Sequence, residues 1–121
     1  MRHADPAALA ADIVRTRSAL LALLSGLGDD DWQVPYRTQF NPPLWELGHV
    51  GWFQEHWCLR QTPTGTLAES CLPGADALYD SGKVAHASRW SLPLPPPEAT
   101  QVYLDRVMSA SLERLARLPH D

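Results

Sequence analysis

The chain has 121 residues, of which 45% are hydrophobic and 20% charged, a balance typical of one folded domain rather than a disordered or fibrous chain. Its formal net charge of -4 offers no positive field to nucleic acid or to an anionic membrane, so we expect neither as a partner. We find no signal sequence and no apolar run long enough to cross a membrane. Two cysteines, Cys58 and Cys71, are too few for a disulfide framework, which favours the cytoplasm.

The first predicted helix begins at Asp5 and Pro6, an N-cap residue followed by a first-turn proline. Apolar residues then recur at a helical spacing, at Leu9, Ile13, Leu20, Leu24 and Leu27. We expect this helix to end around Ser25 and Gly26, where glycine tolerates a left-handed cap. Residues 29–31, all aspartate, should then form a polar turn.

The second predicted helix begins at residues 41–43, because Asn41 can cap a helix and proline fits its first turn, and it runs to about Arg60. Two neighbouring stripes make most of its circumference apolar or aromatic: Leu44, Leu47, Gly51 and Cys58, and Trp45, His49, Trp52, His56 and Leu59. Gly48 and Gly51 each cost about 1 kcal/mol relative to alanine, so another helix or a ligand must approach that face closely.

A long crossover connection is predicted over residues 61–97, which show no sustained periodicity and contain several prolines. Four of its side chains could anchor it to the bundle: Tyr79, Trp90, Leu92 and Leu94. Lys83, His86 and Arg89 could present positive charge to a substrate carboxylate, although a purely structural crossover with solvated charges is the alternative.

The third predicted helix starts near Pro97 and Glu98, and Pro119 stops it. Its apolar face comprises Leu104, Met108, Leu112, Leu115 and Leu118. Three long helices joined by a long crossover predict an all-α, up-down helical bundle, with residues 1–121 forming one domain. Because helix two carries more apolar surface than two partners cover, we expect the chain to stop before a fourth helix. The uncovered face could instead pair two copies of the chain.

His49 is the main candidate for chemistry, because it lies mid-helix among aromatic and small residues. It could be a buried histidine hydrogen-bonded within the core, or it could be a metal ligand. His56 lies two turns further, about 10.5 Å along the helix, so the two cannot hold one metal ion together. A facial non-haem iron site needs three protein ligands, and no other histidine or carboxylate has a spacing that completes it.

Several short motifs occur in a fixed order along the chain. They are residues 43–49 (PLWELGH), residues 78–80 (LYD), residues 88–89 (SR) and residues 92–94 (LPL), followed by the proline-led third helix. Together they resemble the N-terminal DinB-like domain of ergothioneine-type sulfoxide synthases, which are iron-dependent enzymes that couple a thiol to trimethylhistidine (hercynine) using oxygen. The tryptophan of the first motif is displaced by one position. The resemblance covers nearly the whole chain and implies a DinB-like bundle.

The resemblance also implies a role for His49 as the first ligand of an iron(II) ion. In that family the other two ligands form a His-x-x-x-His pair on the fourth helix, and a C-terminal domain completes the trimethylhistidine pocket. Both would lie beyond this chain, which would then be inactive alone. The family binds the carboxylates of its thiol donor with two arginines three residues apart. Arg89 matches the second, while His86 stands at the first and favours a thiol donor with fewer carboxylates, or a selenol donor as in selenoneine synthases.

Two other interpretations of the sequence remain open. One is a DinB-like metal-dependent thiol transferase, which would also use a helix-borne histidine and would need its own closing His-x-x-x-His helix. The other is a non-catalytic helical module that pairs with another chain through the apolar face of helix two.

Overall fold

A computed structural model describes residues 5–32 and 34–118, except for the side chain of Asp29. Four α-helices occur in this part of the chain: α1 (Pro6–Leu24), α2 (Pro43–Cys58), α3 (Ala75–Tyr79) and α4 (Pro97–Ala116). Two single turns of 3-10 helix lie between them, at Asp29–Trp32 and His86–Trp90. The all-α prediction is confirmed, and the three long predicted helices are α1, α2 and α4.

The predicted start of α1 is confirmed, since Asp5 is the N-cap residue and its side chain accepts a hydrogen bond from the amide of Ala7. The predicted left-handed cap is wrong. Ser25 caps the helix in the right-handed region, and Gly26 does not adopt a positive φ. The aspartate turn forms as 3-10 helix, in which the side chain of Asp31 accepts a hydrogen bond of 2.7 Å from the amide of Gly28.

The predicted cap of α2 is also wrong. Pro42 occupies the N-cap position without a side-chain cap bond, while the Asn41 amide donates to Glu46 and its oxygen accepts from Arg89. The helix ends at Cys58, two residues before the predicted end. The predicted start of α4 at Pro97 is confirmed; Pro119, its predicted stop, lies outside the described residues.

The core lies between α2 and α4, with α1 packed on α4 and α3 packed on α2. Its buried hydrophobic residues are Trp45, Leu47, Trp52, Ala75, Tyr79, Tyr103, Leu104 and Val107. The predicted apolar face of α4 is only partly correct, because Leu104 is fully buried whereas Leu118 is 45% exposed. The predicted stripe of α1 is likewise partly exposed at Leu9. The one buried residue of α1 is Arg17, whose guanidinium donates to the Leu104 carbonyl.

The two glycines of α2 are explained by close packing. A Cβ added to Gly48 would overlap the ring of Tyr79, and one added to Gly51 would lie 2.7 Å from Cδ1 of Leu104. The sequence left open whether a helix or a ligand approaches this face. In the structure α3 approaches it at Gly48 and α4 approaches it at Gly51.

The crossover is more ordered than its sequence suggested, since it contains α3 and a 3-10 turn. Three of its four predicted anchors contact the bundle: Tyr79 is in the core, and Leu92 and Leu94 pack against it. Trp90 instead donates a hydrogen bond to the Val34 carbonyl, in the segment between α1 and α2. Lys83 is exposed, and its Nζ atom lies 3.9 Å from Oδ2 of Asp80. None of the helices in the described ranges has the length and apolar character needed to cross a membrane.

Candidate metal-binding histidine and its surroundings

His49 lies in the middle of α2 and is half-buried, with its Nδ1 atom 2.8 Å from the backbone oxygen of Tyr79 in α3. A carbonyl oxygen can only accept a hydrogen bond, so Nδ1 carries the proton. In the neutral ring Nε2 then keeps its lone pair, and it makes no hydrogen bond to any described residue. The buried-histidine interpretation accounts for one ring nitrogen, and the other is available to a ligand.

Aromatic rings on the same helix restrict the orientation of the imidazole. Trp45 stacks on His49 with ring centroids 4.6 Å apart and planes 10° from parallel, and Trp52 lies 5.8 Å away at 21°. Phe53 contacts the imidazole at 6.2 Å and is itself 54% exposed. These residues lie three or four positions from His49, the spacing at which helix side chains meet.

The carbonyl that orients His49 belongs to a firmly attached element. Arg60 donates two hydrogen bonds, of 2.7 and 3.0 Å, to the carboxylate of Asp76 in α3, and Trp52 donates a third of 2.7 Å. These bonds hold the pKa of Asp76 well below its usual range, and the hydrogen bond to Asp76 raises that of Arg60. The ring nitrogen of Trp45 donates a hydrogen bond of 2.7 Å to the Leu78 carbonyl, also in α3.

Arg89 contacts Trp45, the ring that stacks on His49. Its guanidinium carbon is 4.0 Å from the centroid of the Trp45 ring, a cation–π distance. It also donates to Asn41 at 2.9 Å and to the carbonyl of Val84 at 3.0 Å, while its Nε atom is buried without a partner among the described residues. It lines a cleft of about 490 Å³ together with Trp32, Val34, Pro42, Leu44, Trp90, Leu92 and Leu94.

His86 lies on the same 3-10 turn as Arg89 but contacts a different segment. Its Nε2 atom donates to the Arg37 carbonyl at 2.8 Å, and its ring meets Tyr36 and Trp90 edge-on. Among the described residues no hydrogen bond or ring contact joins it to His49 or Arg89. The structure therefore places Arg89 against Trp45, the ring that stacks on His49, and gives His86 other partners.

His56 is not part of this arrangement. Its ring lies between Trp52 and Trp57, with centroids 5.1 and 4.9 Å away, and its buried Nδ1 atom has no described partner. No cluster of three or more histidine, cysteine, aspartate or glutamate side chains suited to a metal occurs within residues 5–32 and 34–118. Of the histidines in α2, His49 alone has one nitrogen fixed by a carbonyl and the other left free of hydrogen bonds.

Sequence reasoning missed the polar cluster around Glu55, which is 3% exposed. Its carboxylate accepts hydrogen bonds from the hydroxyls of Ser70 and Tyr103, at 2.5 and 2.7 Å, and from the amide of Cys71 at 2.7 Å. Burial and the interaction of its own thiol with the Glu55 carboxylate raise the pKa of the Cys71 side chain to about 11. A signal was present, because Glu55 follows Gly51 by four residues and so lies on the same buried face.

The arrangement is that of a helical bundle presenting one oriented histidine. Residues 12–121 match the DinB superfamily, and the chain belongs to this superfamily. Its curated relatives include proteins named hercynine oxygenase from Mycobacterium tuberculosis and Mycolicibacterium smegmatis, which are 36% and 34% identical to it. A third, from Mycolicibacterium thermoresistibile, is 33% identical. These matches cover 97%, 93% and 95% of this chain, which spans about a quarter of each relative's length: 27%, 26% and 25%.

Proposed function

We propose that this chain supplies one ligand, His49, to the iron(II) site of an oxygen-dependent enzyme that acts on hercynine. The observation that carries the proposal is the hydrogen bond from Nδ1 of His49 to the Tyr79 carbonyl. This bond leaves the lone pair of Nε2 available to a metal ion. Histidine ligands of metals commonly donate their other ring N–H to a carbonyl or carboxylate in this way. The similarity to proteins named hercynine oxygenase supports the choice of substrate.

The residues of this chain fit iron as one part of a ligand set. A facial non-haem iron site has three protein ligands, typically two histidines and one carboxylate, and imidazole nitrogen suits iron(II). His49 provides one such nitrogen, and the remaining donors would come from outside the described residues. Iron(II), when bound, supplies the capacity to activate oxygen for forming a carbon–sulfur or carbon–selenium bond on the hercynine ring.

The chain's own contribution is to orient the imidazole ring of His49. The stacked rings of Trp45 and Trp52 cover part of the imidazole and restrict its rotation. Because Nδ1–H stays bonded to the Tyr79 carbonyl, the ring presents the same nitrogen throughout. His49 thus acts as a metal ligand of fixed orientation rather than as a group that transfers protons.

We assign Arg89 to the donor side of the site, where its positive charge beside Trp45 would attract the carboxylate of a thiol or selenol donor. Several of its N–H groups are occupied by Asn41 and Val84, so a donor would be held by few direct bonds. His86 is assigned a weaker role, because its Nε2–H is already bonded to the Arg37 carbonyl. We place the protein in the cytoplasm, in keeping with its two free cysteines.

A chimera tests this function. Residues 5–118 replace the matching segment of Mycobacterium tuberculosis hercynine oxygenase, and hercynine, oxygen and either a thiol or a selenol donor are supplied. We expect a coupled product by mass spectrometry and bound iron by elemental analysis, both lost in His49→Ala and both kept in the matched variant His56→Ala. Full activity and iron content in His49→Ala would overturn the proposal. Thiol transfer without oxygen consumption would assign the chain to thiol transferases instead.

A further inference from the structure

Three ring nitrogens on one face of α2 are all bonded to the short helix α3. Trp45 donates to the Leu78 carbonyl at 2.7 Å, His49 to the Tyr79 carbonyl at 2.8 Å, and Trp52 to the carboxylate of Asp76 at 2.7 Å. The three donors lie at positions i, i+4 and i+7 of α2, which places them in one row. The candidate metal ligand is thus the middle member of a row that attaches α3 to α2.

The distance between α3 and α2 is set by a glycine. The Tyr79 ring is fully buried and lies over Gly48, at a place where any added Cβ would overlap it. Its hydroxyl has no hydrogen-bond partner among the described residues, so packing holds the ring in place. Because the ring and the carbonyl belong to the same residue, displacing the ring would also move the acceptor of Nδ1.

The other end of α3 is fixed by an ion pair. Arg60, just after α2, donates two hydrogen bonds to Asp76, and a third from its Nε atom, 2.6 Å long, goes to the Ala68 carbonyl. The Arg60 side chain is almost wholly buried, whereas that of Asp76 is 47% exposed. The position of α3 therefore depends on Asp76 at its first turn and on Tyr79 at its last residue.

We propose that α3 is a positioning element for His49. Tyr79 is the positioning residue, because its carbonyl accepts the hydrogen bond of Nδ1, and Gly48 leaves the space that its ring occupies. The proposal rests on the proposed function, because it assigns a purpose to holding Nδ1 as the protonated nitrogen. A neutral imidazole has two tautomers, and only the Nδ1–H form offers Nε2 to a metal. Losing such an orienting partner typically lowers metal affinity about 10- to 100-fold.

The first test measures the tautomer of His49 by nitrogen-15 NMR in the metal-free 121-residue protein at about pH 8, where an ordinary imidazole is neutral. We expect the Nδ1–H form to predominate in wild type and a mixture of tautomers in Gly48→Ala. Gly51→Ala is the matched control, because its Cβ would press on Leu104 of α4 and not on α3. A folded Gly48→Ala with the wild-type tautomer would overturn the proposal.

Two further variants keep the test decisive if Gly48→Ala does not fold. In Tyr79→Phe the packed ring remains and only a hydroxyl without a described partner is lost, so the Nδ1–H form should persist. In Asp76→Asn the attachment of the first turn is weakened at a half-exposed position, and part of the Nδ1–H population should be lost. A wild-type tautomer in Asp76→Asn, or a mixed one in Tyr79→Phe, would contradict the proposal.

Iron(II) affinity in the chimera separates this proposal from the proposed function. If wild type binds iron and Gly48→Ala binds it about 10- to 100-fold more weakly, both stand. If the tautomer changes as expected but wild type binds no iron, α3 still orients His49 and the proposed function fails. If wild type binds iron and Gly48→Ala binds it equally well, the function stands and the positioning role is wrong.

Discussion

Replacing Tyr103 by phenylalanine should destabilise the fold measurably while leaving its packing unchanged. The ring of Tyr103 stays in the core, but its hydroxyl no longer donates the 2.7 Å hydrogen bond to the buried carboxylate of Glu55. Hydrogen bonds to charged groups contribute about 1.5–3 kcal/mol, and leaving one side unsatisfied adds to the loss. Because Ser70 and the Cys71 amide still donate to Glu55, we expect a loss near the lower end, about 2 kcal/mol.

This loss can be converted into a melting temperature. At about 2.1 cal/mol/K per residue, the unfolding entropy of 121 residues is about 0.25 kcal/mol/K, so 2 kcal/mol corresponds to a decrease in Tm of about 8 °C. Thermal and urea unfolding, followed by circular dichroism, measure both quantities. Tyr36→Phe is the control, because Tyr36 is 49% exposed and its replacement should change stability by less than about 0.5 kcal/mol. Equal effects of the two substitutions would refute the role given to Glu55.

Three other perturbations should have distinct outcomes. Asp76→Asn should lower the urea midpoint at pH 7, and the difference from wild type should shrink below about pH 3.9, the ordinary aspartate pKa, because the folded pKa of Asp76 is lowered and its stabilisation is lost as pH falls. Gly51→Ala should cost up to about 2 kcal/mol in urea unfolding, since overpacking against Leu104 outweighs the gain in helix propensity. Cys71, with its pKa raised to about 11, should react with iodoacetamide at pH 8 about 100-fold more slowly than free cysteine.

Each of these predictions has a matched control or a contradicting result. An Asp76→Asn deficit that stays constant down to pH 2.5 would exclude the ionised side chain as its cause. Gly26→Ala meets no atom within 4 Å and should be neutral or stabilising, so a loss equal to that of Gly51→Ala would argue against overpacking. Alkylation of Cys71 is measured in Cys58→Ser by mass spectrometry, and a rate equal to that of free cysteine would contradict the raised pKa.

The long helices could be predicted because their signals are local. Pro6 and Pro97 mark helix starts, and the period of apolar residues marks the helices themselves. The buried faces were harder to predict. Helix α1 buries Arg17 where its leucine stripe was expected, because that guanidinium satisfies the Leu104 carbonyl and the Gln54 side chain between helices. Such long-range polar partners have no periodic signature.

The candidate site could be predicted in part. His49 stood out by its position among aromatic and small residues, but the identity of its partner depended on α3, a helix of five residues without a side-chain cap. The attachment of α3 by Asp76 and Tyr79 joins residues about 15 to 30 positions apart, as the Arg60–Asp76 and His49–Tyr79 bonds show. The proximity of Arg89 to Trp45 likewise arises only after the crossover has folded back.

The most direct test of the central claim, that His49 offers Nε2 to iron, is anaerobic calorimetry with iron(II) on the chimera and on its His49→Ala and His56→Ala variants. We predict that wild type and His56→Ala bind iron with equal affinity. His49→Ala should bind it more than about 100-fold more weakly, because losing a ligand exceeds the cost of losing its orienting partner. Equal affinity in His49→Ala and wild type would contradict the account and leave His49 as a hydrogen-bonded core histidine.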